Sequence, residues 1–471
     1  MKTNPNIIFI SIDTLRADHV SCYGYDRPTT PFLDSFAEQS ILFRNAFSTA
    51  VWTPPAHASM FTGIYPSQHG VVDEASLNDR IPTIAETLEQ NGYDTAGFIN
   101  NSQVGELVGL RRGHNTFHEV WKGVPSKTMV DRGLRFLYRR TRELAGGRDL
   151  GGQRTNQLAL EWLRGRQSDT RPFYLFLHYL EPHNPLYRHR GHTEKFMADV
   201  PRTVDRAKIA DVLNNPLICL SDDLELSDAE KAYLTGYYDG CISYQDALIR
   251  ELFDEVKALG AFDDTLVVIT ADHGEHLGEH GLYSHVASLY EPVVHIPMFV
   301  KFPRELGVEP AESDALVQHL DIFPTILASA GIESPVSDTL GGSSLIPEAG
   351  KVNGHELVFS EWEGRIPFYV RHRLDQRGVS YHDHPFREGM SMVRDSHYKL
   401  IRPAGGSERL FDLESDPGEN TDIATQDSQA AERLRKALDQ WQSNLKEYSF
   451  ESAEYSVDEA TRKNLESLGY M

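Results

Sequence analysis

Short, uninterrupted apolar runs separated by longer amphipathic stretches most strongly constrain the fold of this chain. These runs have the length of strands rather than helices. Strands that are apolar throughout, with helical stretches between them, are typical of a parallel sheet covered on both faces. The sequence therefore predicts an α/β fold with a large, mostly parallel, doubly wound sheet flanked by helices. The five runs are 7–12, 95–99, 173–177, 266–270 and 296–300.

Patterning changes toward the C-terminus, where a smaller α+β subdomain is predicted. Residues 333–354 are rich in Gly, Ser and Pro and read as a linker or long loop. We therefore expect a catalytic domain over 1–354 and a C-terminal subdomain over 355–471. Weakly periodic segments inside the first domain are interpreted as insertions. The insertions are 104–170 and 184–232, and the C-terminal elements are strands at 392–394 and 399–402 and a helix over 428–447.

Composition excludes several classes of partner. The 471 residues carry a net charge of −23, which argues against nucleic acid or an anionic membrane as partner. The chain lacks an apolar stretch of about 18 residues, so no stable membrane insertion is expected. The apolar run at 7–12 is short for a signal peptide, which predicts a cytoplasmic protein. Arginine outnumbers lysine among the 46 basic residues, which fits either adaptation to high salt or a GC-rich genome.

Two aspartates are placed at the ends of predicted strands. Asp13 follows the first run, and Asp272 with His273 follows the fourth. Ligands of such sheets lie beyond the carboxyl ends of the strands, and carboxylate and imidazole suit divalent metals. A helix cap at Asp272, or an ion pair of Asp13 with Arg16 or Arg44, is the alternative interpretation.

Thr53 precedes two prolines and a helical segment that begins at Ala56. A hydroxyl at the N-terminus of a helix lies where anions and developing negative charge are stabilised. Thr53 is therefore a candidate nucleophile toward a phosphate or sulfate group, and an ordinary N-cap threonine is the alternative.

Histidines cluster near the same strand ends. His178, Glu181 and His183 follow the third run, and His285 lies a short loop beyond His273. Such groups can protonate a leaving group or activate water, although each is also compatible with an ordinary buried histidine. The H-x-x-E-H spacing of residues 276–280 contains Gly278, which favours a loop over a helical zinc motif.

Taken together, the motifs resemble the sulfatase family of the alkaline phosphatase superfamily. The resemblance covers nearly the whole chain in the family's order. It rests on the segments at 12–18, 53–63, 181–183 and 272–281, with further matches at 69–70, 288–291, 321–325, 398–400 and 410–417.

The resemblance implies one divalent ion, Ca, Mn or Zn, held by Asp13, Thr53, Asp272 and His273. It also implies that His183 and His285 handle the leaving group and its protons. A second metal is not expected, because His183 stands where two-metal phosphodiesterases of the superfamily have Asp.

The sequence departs from the main sulfatase pattern at four positions. Sulfatases carry Cys or Ser, converted to formylglycine, where Thr53 stands. Oxidation of threonine gives a ketone rather than that aldehyde, so no formylglycine is expected. His57 replaces an arginine and is expected to contact oxygens of the transferred group. Asn100 stands where the family often has lysine, and the lysine usual near His285 is also missing.

The predicted function is therefore metal-dependent hydrolysis of sulfuric or phosphoric esters, with Thr53 as nucleophile and a covalent intermediate. The substrate is expected to be a small-molecule, glycan or lipid ester. Transfer of a phospho-alcohol group is the second hypothesis, and a non-catalytic binding protein with the same fold is the third. The sequence leaves the oligomeric state open.

Overall fold

A computed structural model describes most of the chain. The described residues are 4–72, 75–122, 149–198, 200–201, 203–214, 226–285, 288–335, 340–365, 375, 387–445, 453–454 and 461–462. Parts of both predicted insertions and the end of the predicted helix over 428–447 lie outside them.

An eight-stranded sheet forms the centre of the molecule, and its strand order is β8-β2-β7-β6-β1-β5-β3-β4. All five apolar runs form strands of this sheet, which confirms that part of the prediction. The strands are β1 (Asn6–Ile12), β2 (Ile41–Phe47), β3 (Asp94–Ile99), β4 (Thr116–Glu119), β5 (Phe173–Tyr179), β6 (Thr265–Ala271), β7 (His295–Lys301) and β8 (Ala311–Gln318).

The sheet is mostly parallel, as predicted, with one exception. β7 runs antiparallel to both of its neighbours, β6 and β2. β1 lies between β6 and β5 and is parallel to both. The three central strands are buried along nearly their whole length, which explains their uninterrupted apolar sequences.

Helices cover the sheet. Three of them, α5, α6 and α7, lie wholly or partly in the segments that we interpreted as insertions, and that interpretation stays a prediction. The helices are α1 (Pro31–Ala37), α2 (Thr53–Thr62), α3 (Pro66–His69), α4 (Ile84–Gln90), α5 (Gly152–Gly165), α6 (Arg206–Asn214), α7 (Asp228–Ala258), α8 (Glu291–Val294), α9 (Ile322–Ser329) and α10 (Ser428–Leu445).

The C-terminal part is α+β, as predicted. Four antiparallel strands follow one another in order, and the apolar stripe of α10 is buried against them. The division between residues 354 and 355 stays a prediction. The strands are β9 (Val358–Trp362), β10 (Met390–Arg394), β11 (Tyr398–Pro403) and β12 (Arg409–Asp412).

Within the described residues, none of the helices combines the length and the hydropathy that crossing a bilayer requires. Cys22 and Cys241 have free thiols, and Cys219 lies outside the described residues.

Candidate active site

The carboxyl ends of β1 and β6 bring the two predicted aspartates together. Ile12 and Ala271 are register partners in these adjacent parallel strands, so Asp13 and Asp272 leave the sheet side by side. Ligand atoms of Asp13, Asp272 and His273 all lie within 4.8 Å of one another, and all three residues are buried. The structure thus brings together three of the four residues that were predicted to hold a metal.

Each aspartate has one oxygen bonded to protein and one oxygen left over. Oδ1 of Asp272 accepts hydrogen bonds from the backbone N–H groups of Thr14 (3.1 Å) and His273 (2.9 Å). Oδ2 of Asp13 accepts one from Asn101 Nδ2 at 3.3 Å. Asp272 Oδ2 and Asp13 Oδ1 have no hydrogen-bond partner among the described residues. Two orphaned, converging carboxylate oxygens fit a divalent cation.

The alternative interpretations of these aspartates do not agree with the structure, and a helix cap at Asp272 is excluded because residues 273–275 are not helical. Arg16 pairs with Asp18 and Glu279, and Arg44 pairs with Glu312 rather than with Asp13. Burial raises the pKa of Asp272 to about 7, and the neighbouring Asp13 carboxyl adds to that shift. Burial also raises the pKa of Asp13. A bound cation would reverse both shifts, because it stabilises the ionised carboxylates.

Thr53 is the first residue of α2, and Trp52 occupies the N-cap position, so the N-cap interpretation of Thr53 is wrong. Pro54 and Pro55 follow, which suits the first turn, where backbone N–H groups have no helical partner. The Thr53 hydroxyl is buried, and its Oγ1 lies 3.4 Å from Nε2 of His273. The candidate nucleophile therefore borders the aspartate and histidine group.

His57 lies one turn further along α2 and is fully buried. Its Nδ1 is 2.9 Å from the carbonyl oxygen of Thr53, and its Nε2 is 3.0 Å from Oγ of Ser11. Burial lowers the pKa of His57 to about 3, so the ring is neutral. Because both ring nitrogens contact protein atoms, the expected contact of His57 with a substrate stays a prediction.

His183 and His285 lie together beside His273. The ring centroids of His183 and His285 are 5.3 Å apart, and those of His285 and His273 are 4.4 Å apart. Burial lowers the pKa of both, in His285 to about 3. Neutral imidazoles can accept a proton, and they donate one only from the ring N–H.

Glu275 orients His285 and was not identified from the sequence. Its Oε1 lies 3.2 Å from Nδ1 of His285, and both side chains are nearly inaccessible to solvent. This contact leaves Nε2 of His285 as the nitrogen that does not face the carboxylate. Glu275 belongs to the motif at 272–275, but nothing in the spacing of that motif indicated which histidine Glu275 would contact.

The remaining predicted positions are separate from this cluster. Glu181 accepts a hydrogen bond from the backbone N–H of Leu150 at 2.6 Å. Asn100 donates to Thr155 Oγ1 and to the carbonyl of His178, so it has a structural role where the family often has lysine. Residues 276–280 form a two-residue strand and most of a single 3-10 turn rather than a continuous α-helix, as expected.

The loop that carries Asp272 and His273 is held by backbone contacts to α8. The N–H groups of Gly274 and Glu275 donate to the carbonyls of Val293 and Pro292. A Cβ atom at Gly274 would come within 2.0 Å of the Pro292 oxygen, so only glycine allows this approach.

Two family models match the chain. The model described as Sulfatase matches residues 5–332, and the one described as N-sulphoglucosamine sulphohydrolase, C-terminal, matches residues 278–447.

Individual proteins are similar over nearly the whole length. The multifunctional alkaline phosphatase superfamily protein PehA of Trinickia caryophylli is 25% identical, covering 91% of this chain and 93% of its own. The choline-sulfatase of Rhizobium meliloti is also 25% identical, covering 89% of this chain and 82% of its own. The crystal structure of the phosphonate monoester hydrolase of Agrobacterium radiobacter superposes with a TM-score of 0.71 at 22% identity, covering 94% and 95% of the two chains. This last likeness establishes a common fold.

Proposed function

Because the chain belongs to the sulfatase family, a family of ester hydrolases, we propose that it is a metal-dependent hydrolase of phosphoric or sulfuric esters that uses Thr53 as nucleophile. One observation carries the proposal. The Thr53 hydroxyl lies at the first turn of α2, 3.4 Å from Nε2 of His273, and this nitrogen lies 3.4 Å from the orphaned Oδ2 of Asp272.

Asp13, Asp272, His273 and Thr53 would hold one divalent ion, of which Ca, Mn and Zn are the candidates. Such an ion supplies charge neutralisation for the transferred group and lowers the pKa of a neighbouring hydroxyl.

The chain's own residues then account for the two steps. Thr53 Oγ1 gives its proton to the neutral ring of His183 or His285 and forms a bond to phosphorus or sulfur, while the bond from that atom to the leaving oxygen breaks. The histidine that took up the proton passes it to the leaving oxygen. In the second step, a water molecule attacks the same atom and gives a proton to one of these histidines, which returns it to Thr53 Oγ1 as the bond to Thr53 breaks.

The departures from the sulfatase pattern favour phosphorus over sulfur as the reacting atom. Thr53 cannot become formylglycine, because its Cβ carries a methyl group. The sequence lacks both of the family's cationic contacts, since Asn100 stands at one position and the lysine near His285 is missing. A site built from a metal and neutral donors suits a phosphodiester or phosphonate monoester. The similarity to proteins described as phosphonate monoester hydrolases supports the same preference.

The test is turnover of three nitrophenyl esters by metal-stripped enzyme with Mn²⁺, Ca²⁺ or Zn²⁺ restored. The esters are a sulfate, a phosphate monoester and a phosphodiester. We expect phosphodiester turnover that requires added metal. Preferred turnover of the sulfate would contradict the assignment to phosphorus, and equal turnover with and without metal would contradict the metal site.

A further inference from the structure

His178 is a buried imidazole that lacks a hydrogen-bonding partner. It lies in β5, one residue before the end of the strand, and its side chain is fully inaccessible to solvent. Neither ring nitrogen makes a hydrogen bond among the described residues. Leaving a polar group unsatisfied at this depth destabilises the folded protein. A ligand outside the protein chain would remove that destabilisation.

The register of the sheet directs His178 toward the two aspartates. Ser11 is the register partner of His178, and Asp13 follows two residues later on β1. Nε2 of His178 lies 3.4 Å from Oδ2 of Asp13. Ligand atoms of His178, Asp272 and His57 also lie within 4.8 Å of one another. His178 therefore borders both aspartates of the predicted metal centre.

The separation of these atoms suits ligands that share one ion. With metal–ligand bonds of about 2.1 Å, two ligands of the same ion lie about 3.0–3.4 Å apart at octahedral or tetrahedral angles. The 3.4 Å between His178 and Asp13 matches the 3.4 Å between Nε2 of His273 and Oδ2 of Asp272. His57 is less suited, because both of its nitrogens contact protein atoms.

We propose that His178 is a further ligand of the divalent ion held by Asp13, Asp272 and His273. This proposal rests on the metal centre of the proposed function. The ion would then have two imidazole and two carboxylate ligands besides Thr53. Calcium prefers oxygen ligands throughout, whereas imidazole suits Mn²⁺ through Zn²⁺. The ligand set thus selects a first-row transition metal over Ca²⁺.

A different role for His178 would be to donate a hydrogen bond to Asp13 without touching the ion. The two roles differ in their effect on metal selectivity. Loss of a nitrogen ligand weakens Zn²⁺ binding much more than Ca²⁺ binding. Loss of an orienting partner weakens the binding of both ions by a similar factor.

The experiment combines X-ray absorption at the zinc edge with competitive metal titration of the full chain. In the wild-type protein we expect the absorption spectrum to show two imidazoles on zinc. In His178→Asn we expect one imidazole, Zn²⁺ binding at least about 100-fold weaker, and Ca²⁺ binding changed less than about tenfold. His69→Asn is the matched control, because His69 is also fully buried but bonds to Ser59 and Val71. The control should keep two imidazoles and the wild-type affinity for zinc.

One imidazole in the wild-type spectrum would overturn the proposal even if His178→Asn failed to fold. Equal weakening of Zn²⁺ and Ca²⁺ in the variant would also overturn it, in favour of the orienting role. The proposed function is judged separately: zinc bound by two imidazoles without ester turnover would leave this inference standing and remove the hydrolase assignment.

Discussion

At the scale of single residues, the hydroxyl of Thr53 is the group on which the chemistry depends. It is buried at the start of α2, with His273 as its neighbour. Thr53→Val keeps the shape of the side chain and removes the nucleophile, so we expect kcat to fall at least about 1,000-fold. Thr53→Ser restores a hydroxyl and should recover most of that loss. Steady-state kinetics on the preferred ester measures both.

The matched control for Thr53→Val lies in the same helix. Thr62 donates its hydroxyl to the carbonyl of Ala58 at 2.6 Å and lies at the other end of α2. Thr62→Val should leave kcat near the wild-type value. A similar loss of kcat in both variants would mean that Thr53→Val acts by distorting the helix.

Buried histidines outside the site make stability depend on pH. Burial lowers the pKa of His69 from 6.5 to about 3. The unfolded chain therefore binds a proton at His69 between those two values while the folded chain does not, and stability falls as pH falls below 6.5. His69→Asn removes this difference, so the slope of unfolding free energy against pH should decrease by ~1.4 kcal/mol per pH unit. Denaturant titrations between pH 4 and pH 7 measure it, and an unchanged slope would contradict the buried neutral state.

At the scale of elements, a buried charge cluster joins the C-terminal sheet to α8, which contacts the loop that carries Asp272 and His273. Lys399 on β11 lies 3.1 Å from Glu291 and 2.8 Å from Glu419, and Arg394 on β10 also pairs with Glu291. Although burial acts in the opposite direction, the two cations hold the pKa of Glu291 below its usual range. Glu291 begins α8, whose carbonyls bind the backbone of residues 274 and 275.

Lys399→Met should therefore be strongly destabilising, because it leaves two buried carboxylates with one cation. We expect the free energy of unfolding to fall by about 3–5 kcal/mol in chemical denaturation. Lys436→Met is the control, since Lys436 pairs with Glu432 on the exposed side of α10 and should change stability little. Similar losses of unfolding free energy in the two variants would show that the buried ion pairs of Lys399 stabilise the protein no more than an exposed ion pair does.

The central strands of the sheet could be predicted from the sequence, whereas helix α7 and strand β8 could not. Strands β1, β5 and β6 are buried on both faces, so their apolar runs were unambiguous. The long helix α7 was missed because its buried side contains polar residues, among them Asp239, Gln245 and Asp246, which interrupt the apolar period. β8 was missed because its first five residues lie at least partly in solvent.

The site was predictable to the extent that strand ends determine it. Asp13 and Asp272 follow adjacent parallel strands, so their proximity follows from the fold. His178 was one of the candidate histidines, but its contact with Asp13 and the contacts of Asn101 and Glu275 were not predicted, because they depend on strand register and on loop paths. No local spacing encodes a contact between residues that lie far apart in the chain, as His178 and Asp13 do.

At the scale of the whole molecule, the net charge of −23 opposes the folded state through self-repulsion. Salt screens this repulsion, and near 1 M the Debye length falls to about 3 Å. We therefore expect the thermal midpoint to rise by several degrees between about 0.05 M and 1 M KCl. Tetramethylammonium chloride should raise the thermal midpoint by a similar amount, because screening needs no specific cation. A midpoint that falls with salt would contradict this expectation.

The proposed mechanism requires that Thr53 becomes covalently attached to the transferred group. Trypsin releases the segment between Arg44 and Arg80 as one peptide that contains Thr53. Metal-loaded enzyme is quenched in acid during turnover of a phosphodiester, and that peptide is fragmented in a mass spectrometer. We expect a phosphoester on Thr53 that is lost without metal and in Thr53→Val. An adduct on another residue, or undiminished turnover by Thr53→Val, would contradict it.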